Sequence, residues 1–318
     1  MSEILAGKYR LLQELARGGM GAVWLAQHLG SEVHVAAKLI LDPNEANLGR
    51  FKREIFVSQR IQHPGVIRVH DAGVLPNGQA YMVMHLLRGV SMRERLELEG
   101  PQSAPICLDL LEQLLEALEA VHQAGVVHRD LKPDNVHLEP DPSTGGERAT
   151  LVDFGVSRLL DEEVVGSEQL YVSVEGVLSG TPHYVAPEAL AQPGTVSTGH
   201  DIYACGVIFY ELLTGRLPYP PSNSLQQILE NVVDLAIPTL DSACPMGAPF
   251  APGYEWLVRK LLEKDEHVRP RDASAALELV REARERIARE EAAPPQVAPP
   301  PRDRSISGRF RRFLGGGE

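Results

Sequence analysis

The sequence predicts an α+β chain of two unequal lobes, and three observations carry that prediction. At 318 residues and about 150 residues per domain, the length suits two domains or one two-lobed domain. A hydrophobic share of 43% is enough to bury a sizeable core. The patterns also segregate. The first eighty or so residues read as strands with one helix, and after Leu87-Arg88-Gly89 the apolar spacing turns helical.

Taken in order, Tyr9–Leu15 and Ala22–Gln27 are strand candidates, separated by Gly18-Gly19-Met20-Gly21 as by a turn. Val33–Ile40 is a third, rich in β-branched and small apolar residues. Glu45–Gln62 reads as a helix that His63-Pro64-Gly65 stops, because proline disfavours helix in the residue before it. Val66–Val74 and Gln79–Met84 read as two more strands joined at Pro76-Asn77-Gly78. From Ala104 to Ala124, the residues Ile106, Leu110, Leu111, Leu114, Leu115, Leu118 and Val121 follow helical spacing. Asp201–Thr214 is a more apolar helix, expected to be buried on most sides. Helices near Ser224–Val232, Tyr254–Leu262 and Asp272–Glu291 follow. In the last, Arg281/Glu285, Glu282/Arg286 and Glu285/Arg289 sit four apart, a spacing that supports an exposed helix by a few tenths of a kcal/mol per pair.

Charge and cysteine content narrow the class. With 31 Lys and Arg against 43 Asp and Glu, the net charge is −12, which argues against a nucleic-acid-binding body. Cys107, Cys205 and Cys244 have no short spacing, so they read as reduced thiols rather than a disulfide framework or zinc site. The start, MSEILAGKYR, lacks a basic segment followed by an apolar core, and no apolar run approaches a membrane span. The expectation is a cytoplasmic protein with no membrane span.

The chemistry lies in local motifs. The cluster Ala16-Arg17-Gly18-Gly19-Met20-Gly21-Ala22-Val23 would let backbone N–H groups approach phosphate oxygens with no Cβ in the way. In isolation it reads first as a hairpin turn. Lys38, at the end of Val35-Ala36-Ala37-Lys38, reads in isolation as a strand-end lysine, but Glu54 follows on a helix from which it could reach back. Such a pair would hold an ammonium where it can bind phosphate. The strong signal is His128-Arg129-Asp130-Leu131-Lys132-Pro133-Asp134-Asn135. Asp153-Phe154-Gly155, Ala186-Pro187-Glu188 and Arg269 follow it. Each triplet alone is common. In this order and spacing, chance is a negligible explanation.

This set resembles the eukaryotic-like (Hanks-type) protein kinases, over about Tyr9–Ala288. Gly-Gly-Met-Gly, His-Pro-Gly and Lys132 two residues after Asp130 resemble the bacterial serine/threonine branch in particular. The resemblance implies a bilobal fold. A small antiparallel-sheet lobe with one helix spans 9–84, and a larger, mainly helical lobe spans 86–288. It implies ATP- and Mg-dependent phosphorylation of serine or threonine on proteins, including the kinase itself, in signalling, with Mn as an alternative metal. Gly18 and Gly21 would cover the ATP phosphates, and Lys38, oriented by Glu54, would hold the α and β phosphates. Asp153 and Asn135 would hold Mg²⁺, Asp130 would accept or orient the substrate hydroxyl, and Lys132 would neutralise the moving phosphoryl group. Ala16, Val23, Ala36, Met84, His85, Leu87 and His137 would enclose the adenine, with Met84 at the back and His85–Leu87 as the hinge. Thr181 would complete the substrate platform. Glu188 would pair with Arg269, and Asp201 would brace the catalytic loop.

Three residues depart from the family's pattern. Ala16 replaces the first loop glycine, a mild change at φ < 0. His137 replaces a large apolar residue under the adenine, where it would either stack as a neutral imidazole or be a buried, hydrogen-bonded histidine. Ser58, one turn after Glu54, takes a usually apolar position in the active-state hydrophobic column, which could loosen that helix and make activity depend on a partner. These departures are what the rival reading has to offer, a pseudokinase or scaffold that binds nucleotide or partners without turnover. The intact Lys38, Glu54, Asp130, Asn135 and Asp153 argue against it.

Between Asp153 and Glu188 the resemblance places an activation loop. Arg129 marks control by a phosphorylated loop residue, because arginine can pair a phosphate bidentately. Ser173 and Glu175 fall where related kinases carry phosphorylated threonines. The expectation is that Ser173 is autophosphorylated and Glu175 imitates a phosphate, or else that Glu175 is a solvated loop acid. Trans-autophosphorylation would call for a homodimer.

Residues 289–301 form a proline-rich linker and 302–318 a basic tail, expected to be disordered. The tail sets five Arg against Asp303 and Glu318, a surplus of three positive charges, so the rest of the chain carries −15. It would dock a partner, touch lipid, be phosphorylated at Ser305 or Ser307, or merely add solubility.

Overall fold

A computed structural model of the chain describes residues 3–18, 21–42, 44–142, 145–154, 158–159, 182–192, 195–222, 224–244 and 249–292. The first lobe comprises β1 (Ile4–Leu5), β2 (Tyr9–Arg17), β3 (Gly21–His28), β4 (His34–Ile40), helix α1 (Glu45–Arg60), β5 (Val69–Val74) and β6 (Ala80–Met84). The strands form one antiparallel sheet in the order β1-β2-β3-β4-β6-β5. Side chains alternate across a strand, and β4 uses both faces. Val35, Ala37 and Leu39 pack with Leu5, Tyr9, Leu11 and Val83 in a small core. Ala36, Lys38 and Ile40 face the other way, into a cavity below the sheet. On that side Phe51 of α1 packs on Ile40, Ala80 and Met82. The N-cap of α1 is Asn44, whose side chain accepts the Asn47 N–H at 2.8 Å.

The strand expected from Val66 begins only at Val69. Val66 and Ile67 instead bind the second lobe: Leu151 donates its N–H to Gly65 O at 2.8 Å, and Ile67 donates to Leu151 O at 2.9 Å. The His63-Pro64-Gly65 turn aims the backbone away from the first sheet before it returns as β5.

The second lobe begins with β7 (Val90–Ser91), α2 (Met92–Glu99) and α3 (Ala104–Gln123). Then come β8 (Val126–Val127), a short 3₁₀ turn over Pro133–Asn135, β9 (Val136–Asp141), β10 (Gly146–Leu151) and β11 (Arg158–Leu159). Two small antiparallel sheets form, in the orders β10-β9-β7 and β11-β8. The remaining helices are α4 (Pro187–Ala191), α5 (Thr198–Thr214), α6 (Leu225–Asp234), α7 (Leu240–Ala243), α8 (Pro252–Leu261) and α9 (Ala273–Ala292).

Helix α5 is buried continuously from Gly199 to Thr214, so no face of it is left to solvent. Helix α3 packs Leu110, Leu111, Leu114, Leu115, Leu118 and Val121 into the same core. Each such side chain is worth roughly 1.5–3 kcal/mol of burial. Ile106 shares their spacing but lies 45% exposed in the first turn of the helix.

Of the three ion pairs expected on α9, Arg286–Glu282 forms at 2.6 Å and Arg289–Glu285 at 3.8 Å, and Arg281 does not pair with Glu285. Arg286 turns its guanidinium over the Trp256 ring, 4.2 Å from the centroid. The helix runs to Ala292, past residue 289, where the proline-rich linker was expected to begin. All three cysteines are free thiols, Cys107 and Cys205 buried and Cys244 half-buried. Among the described residues, no helix is long and apolar enough to cross a membrane.

Candidate active site

A cavity of about 560 Å³ lies between the lobes, within the range of small-molecule sites. Its roof is the end of β2 with Gly18 and the start of β3, its rear wall β4, α1 and the segment His85–Leu87, and its floor β9 and Val152. Every residue expected to enclose the nucleotide lines it: Ala16, Gly18, Gly21, Val23, Ala36, Lys38, Met84, His85, Leu87 and His137.

The glycines do different work there. A Cβ on Gly18 would meet nothing within 4 Å, whereas one on Gly21 would lie 2.3 Å from the Leu39 carbonyl oxygen. Gly21 is thus needed for β3 to approach β4. Ala16 sits in β2, outside the positive-φ residues, so its methyl group adds no backbone strain.

Lys38 crosses the cavity to helix α1, its Nζ 2.8 and 2.7 Å from the two carboxylate oxygens of Glu54. Burial pushes the Lys38 ammonium down, but the charges of Glu54 and Asp153 and the Glu54 hydrogen bond outweigh it, leaving the pKa above the usual lysine value. Burial pushes the Glu54 carboxyl up, and the charge of Asp153 adds to this against the pull of Lys38. Asp153 has φ +63° and lines the cavity.

Asp130 and Lys132 do not line the cavity, but both are tied to Asn135, which does, through the Asp130 carboxylate. Lys132 Nζ donates to Asp130 at 2.8 and 3.0 Å. Asn135 Nδ2 donates to the Asp130 backbone oxygen at 2.8 Å and to its carboxylate at 3.0 Å. That amide nitrogen is committed to Asp130, which turns the amide oxygen the other way. Asn135 and Asp153 both line the cavity, and their hard oxygen donors suit Mg²⁺, which needs only one or two protein ligands when phosphates supply the rest.

The loop is held from below. Asp201, at the start of buried α5, accepts the backbone N–H groups of His128 at 2.8 Å and Arg129 at 2.9 Å. His122 Nε2 lies 3.0 Å from the same carboxylate. Arg129 has φ +67°. The His128 ring packs at a tilt against Phe154 with centroids 4.9 Å apart, and both residues are fully buried. Glu188 pairs with the buried Arg269, which also donates to Glu263 O at 2.9 Å. Ser58 is 5% exposed, and its hydroxyl has no hydrogen-bond partner among the described residues.

Burial pushes the His137 imidazole below its usual pKa, so the neutral ring is favoured, and the charge of Glu139 and then a hydrogen bond with the Arg88 backbone oppose that shift. Ile67 and Val152 also line the cavity, and sequence reading had not singled them out. The apolar residue just before Asp153 was a usable signal for Val152. Ile67 had none, because its place depends on the backbone bond to Leu151. Ser173, Glu175, Thr181 and Gly155 lie outside the described residues.

Comparison with known proteins agrees with this geometry. The chain is 39% identical over 278 residues to the serine/threonine-protein kinase pkn2 of Myxococcus xanthus, a match covering 86% of this chain and 32% of that protein. It is 31% identical over 278 residues to pkn3 of the same organism, covering 86% and 50%. It is 32% identical over 305 residues to PknA of Mycobacterium tuberculosis, covering 94% and 66%. The chain therefore spans about a third, a half and two thirds of these relatives. Residues 9–280 match the family described as the protein kinase domain, and that match over most of the chain makes it a member of the protein kinase family.

Proposed function

We propose that the protein transfers the γ-phosphoryl group of ATP to serine or threonine hydroxyls of proteins, itself included, with Mg²⁺. The observation that carries this reading is the Lys38–Glu54 pair, closed at 2.7 Å in the cavity that Asn135 and Asp153 also line. The relatives named serine/threonine-protein kinases support the same reading.

In this reading, Lys38 binds α- and β-phosphate oxygens, and Glu54 holds its ammonium in place. Mg²⁺, held by Asp153 and Asn135, supplies neutralising charge on the phosphates. Asp130 takes the proton of the hydroxyl whose oxygen bonds to the γ-phosphorus as the bond to the ADP oxygen breaks. Lys132, already on the Asp130 carboxylate, balances charge on the moving group. Asp201, Glu188 and Arg269 act structurally. We assign residues 9–288 to the catalytic domain, with a linker and basic tail beyond. We assign Arg129, Ser173, Glu175 and Thr181 to loop control and substrate positioning.

The test is transfer of radiolabelled γ-phosphate by wild type, Lys38→Met and Asp130→Asn, with and without a generic protein substrate. Label on protein from wild type, reduced about 10²-fold or more in both variants, is expected. No label from wild type would favour a scaffold without turnover. Peptide mapping of the same samples shows whether Ser173 is modified.

A further inference from the structure

A second cavity, of about 540 Å³, lies behind the hinge. Its walls come from both lobes: the end of α1, the loop from His63 to Arg68, and Glu139, Arg148 and Thr150 of β9 and β10. The backbone bonds between Gly65, Ile67 and Leu151 fix that loop against the larger lobe. The cavity therefore belongs to a defined part of the fold.

Its polar lining is mixed. In a protein of net charge −12, this cavity collects Arg68, Arg148, His63 and His85, and its one acidic lining residue is Glu139. Glu139 is occupied: it accepts the Arg88 N–H at 2.9 Å and lies 3.9 Å from His85 Nε2. Arg148 pairs with Asp141 at 3.0 Å. The exposed Arg68 has no carboxylate partner among the described residues. His70 stacks edge-on to His85, with centroids 6.5 Å apart. Burial, and then the charges of Arg68 and His85, push its imidazole below the usual histidine value. Arg68 thus offers the cavity a guanidinium that no described carboxylate holds, and Ile61, Val66, Ile67 and Leu87 provide an apolar floor.

We propose that this rear cavity binds a small organic anion, an apolar body ending in a carboxylate, and that its occupancy is coupled to nucleotide binding. The carboxylate meets Arg68 at the mouth, and the apolar body covers the floor. The coupling follows from shared walls, since Ile67, His85 and Leu87 line both cavities. Ser58, one turn from Glu54, lines the rear one. An occupant shifts the hinge and the end of α1 together, and any effect on nucleotide affinity is reciprocal. The binding claim stands alone, and the coupling rests on the nucleotide reading above.

The test is a ¹⁹F NMR titration of the full chain with 4-fluorobenzoate, with 4-fluorobenzamide as the probe of the apolar body alone and inorganic phosphate, read by its displacement of 4-fluorobenzoate, as the probe of the charge alone. Saturable binding of 4-fluorobenzoate is expected, with neither control binding comparably. Arg68→Gln, a change at an exposed position, should weaken binding about tenfold, and Arg68→Lys by less. Absence of saturable binding, equal binding of the benzamide or of phosphate, or an unchanged affinity in Arg68→Gln overturns the site. A fluorescent ADP analogue is then titrated with and without saturating 4-fluorobenzoate, where a change of about fivefold or more is expected. An unchanged affinity overturns the coupling. Failure of the analogue to bind without benzoate refutes the nucleotide reading instead, and the NMR result is unaffected.

Discussion

The Asp201 carboxylate accepts the backbone N–H of Arg129 at 2.9 Å, at a residue held at φ +67°. A left-handed conformation in a non-glycine residue costs on the order of 1 kcal/mol and persists only where neighbours enforce it. Asp201 enforces it here from a helix buried along almost its whole length.

Asp201→Asn should therefore destabilise the chain by about 2 kcal/mol, because an amide nitrogen then faces a donor. Burial pushes the Asp201 carboxyl up, but its hydrogen bond to His122, the nearby histidine charges and the Arg129 N–H prevail and hold it below the usual aspartate value. A carboxyl depressed in the folded state stabilises fully above the ordinary carboxylate range. That contribution is lost as pH falls through the depressed value. Thermal melts of both proteins from neutral to acid pH check this. The gap between them should narrow as the pH drops.

Ser58→Ala removes a buried hydroxyl that has no partner among the described residues. Stability should rise by about 1 kcal/mol. The readout is a higher urea midpoint with an unchanged slope. A lower midpoint would mean that the hydroxyl is satisfied in solution.

Arg269 is fully buried at its side chain, pairs with Glu188 and lies over the Tyr203 ring at 5.4 Å. Arg269→Met strands the Glu188 charge and should cost about 3–5 kcal/mol. Glu188→Gln with Arg269→Met should cost less than the sum of the single changes, because neither charge is left alone. Denaturant unfolding of the four proteins closes the cycle.

Burial pushes the Cys107 thiol up to about 12, and Cys205 is also raised by burial. Native protein treated with iodoacetamide near neutral pH should be alkylated first at the half-buried Cys244. Mass spectrometry of peptides reads the order. Early labelling of Cys107 would mean that α3 opens easily.

Much of this architecture was legible in the sequence, for identifiable reasons. Helices α3 and α5 announce themselves by long apolar patterns, and β2, β3 and β4 by short ones punctuated by glycine. Lys38, Glu54, Asn135 and Asp153, singled out in the sequence by their type and spacing, line one cavity together. Helix α2 was missed because it buries only Met92 and Leu96, too few for a periodicity. Its capping box, Ser91 with Glu94 three residues on, was the available signal. The β9–β10 hairpin was missed because Val136–Asp141 carries a histidine, a glutamate and a proline and becomes a strand through its partners β7 and β10. Local propensity cannot report such pairing.

Gly21 has a consequence for how the glycine-rich turn is interpreted. Its missing side chain makes room for the Leu39 carbonyl, so any substitution there pries two neighbouring strands apart before it reaches a ligand. A variant at Gly21 that binds nucleotide poorly would be reporting damage to the sheet that carries Lys38. A variant at Gly18, where the space is open, would report on the turn itself. The letters of the motif are thus unequal witnesses: one testifies to architecture, the other to the cavity.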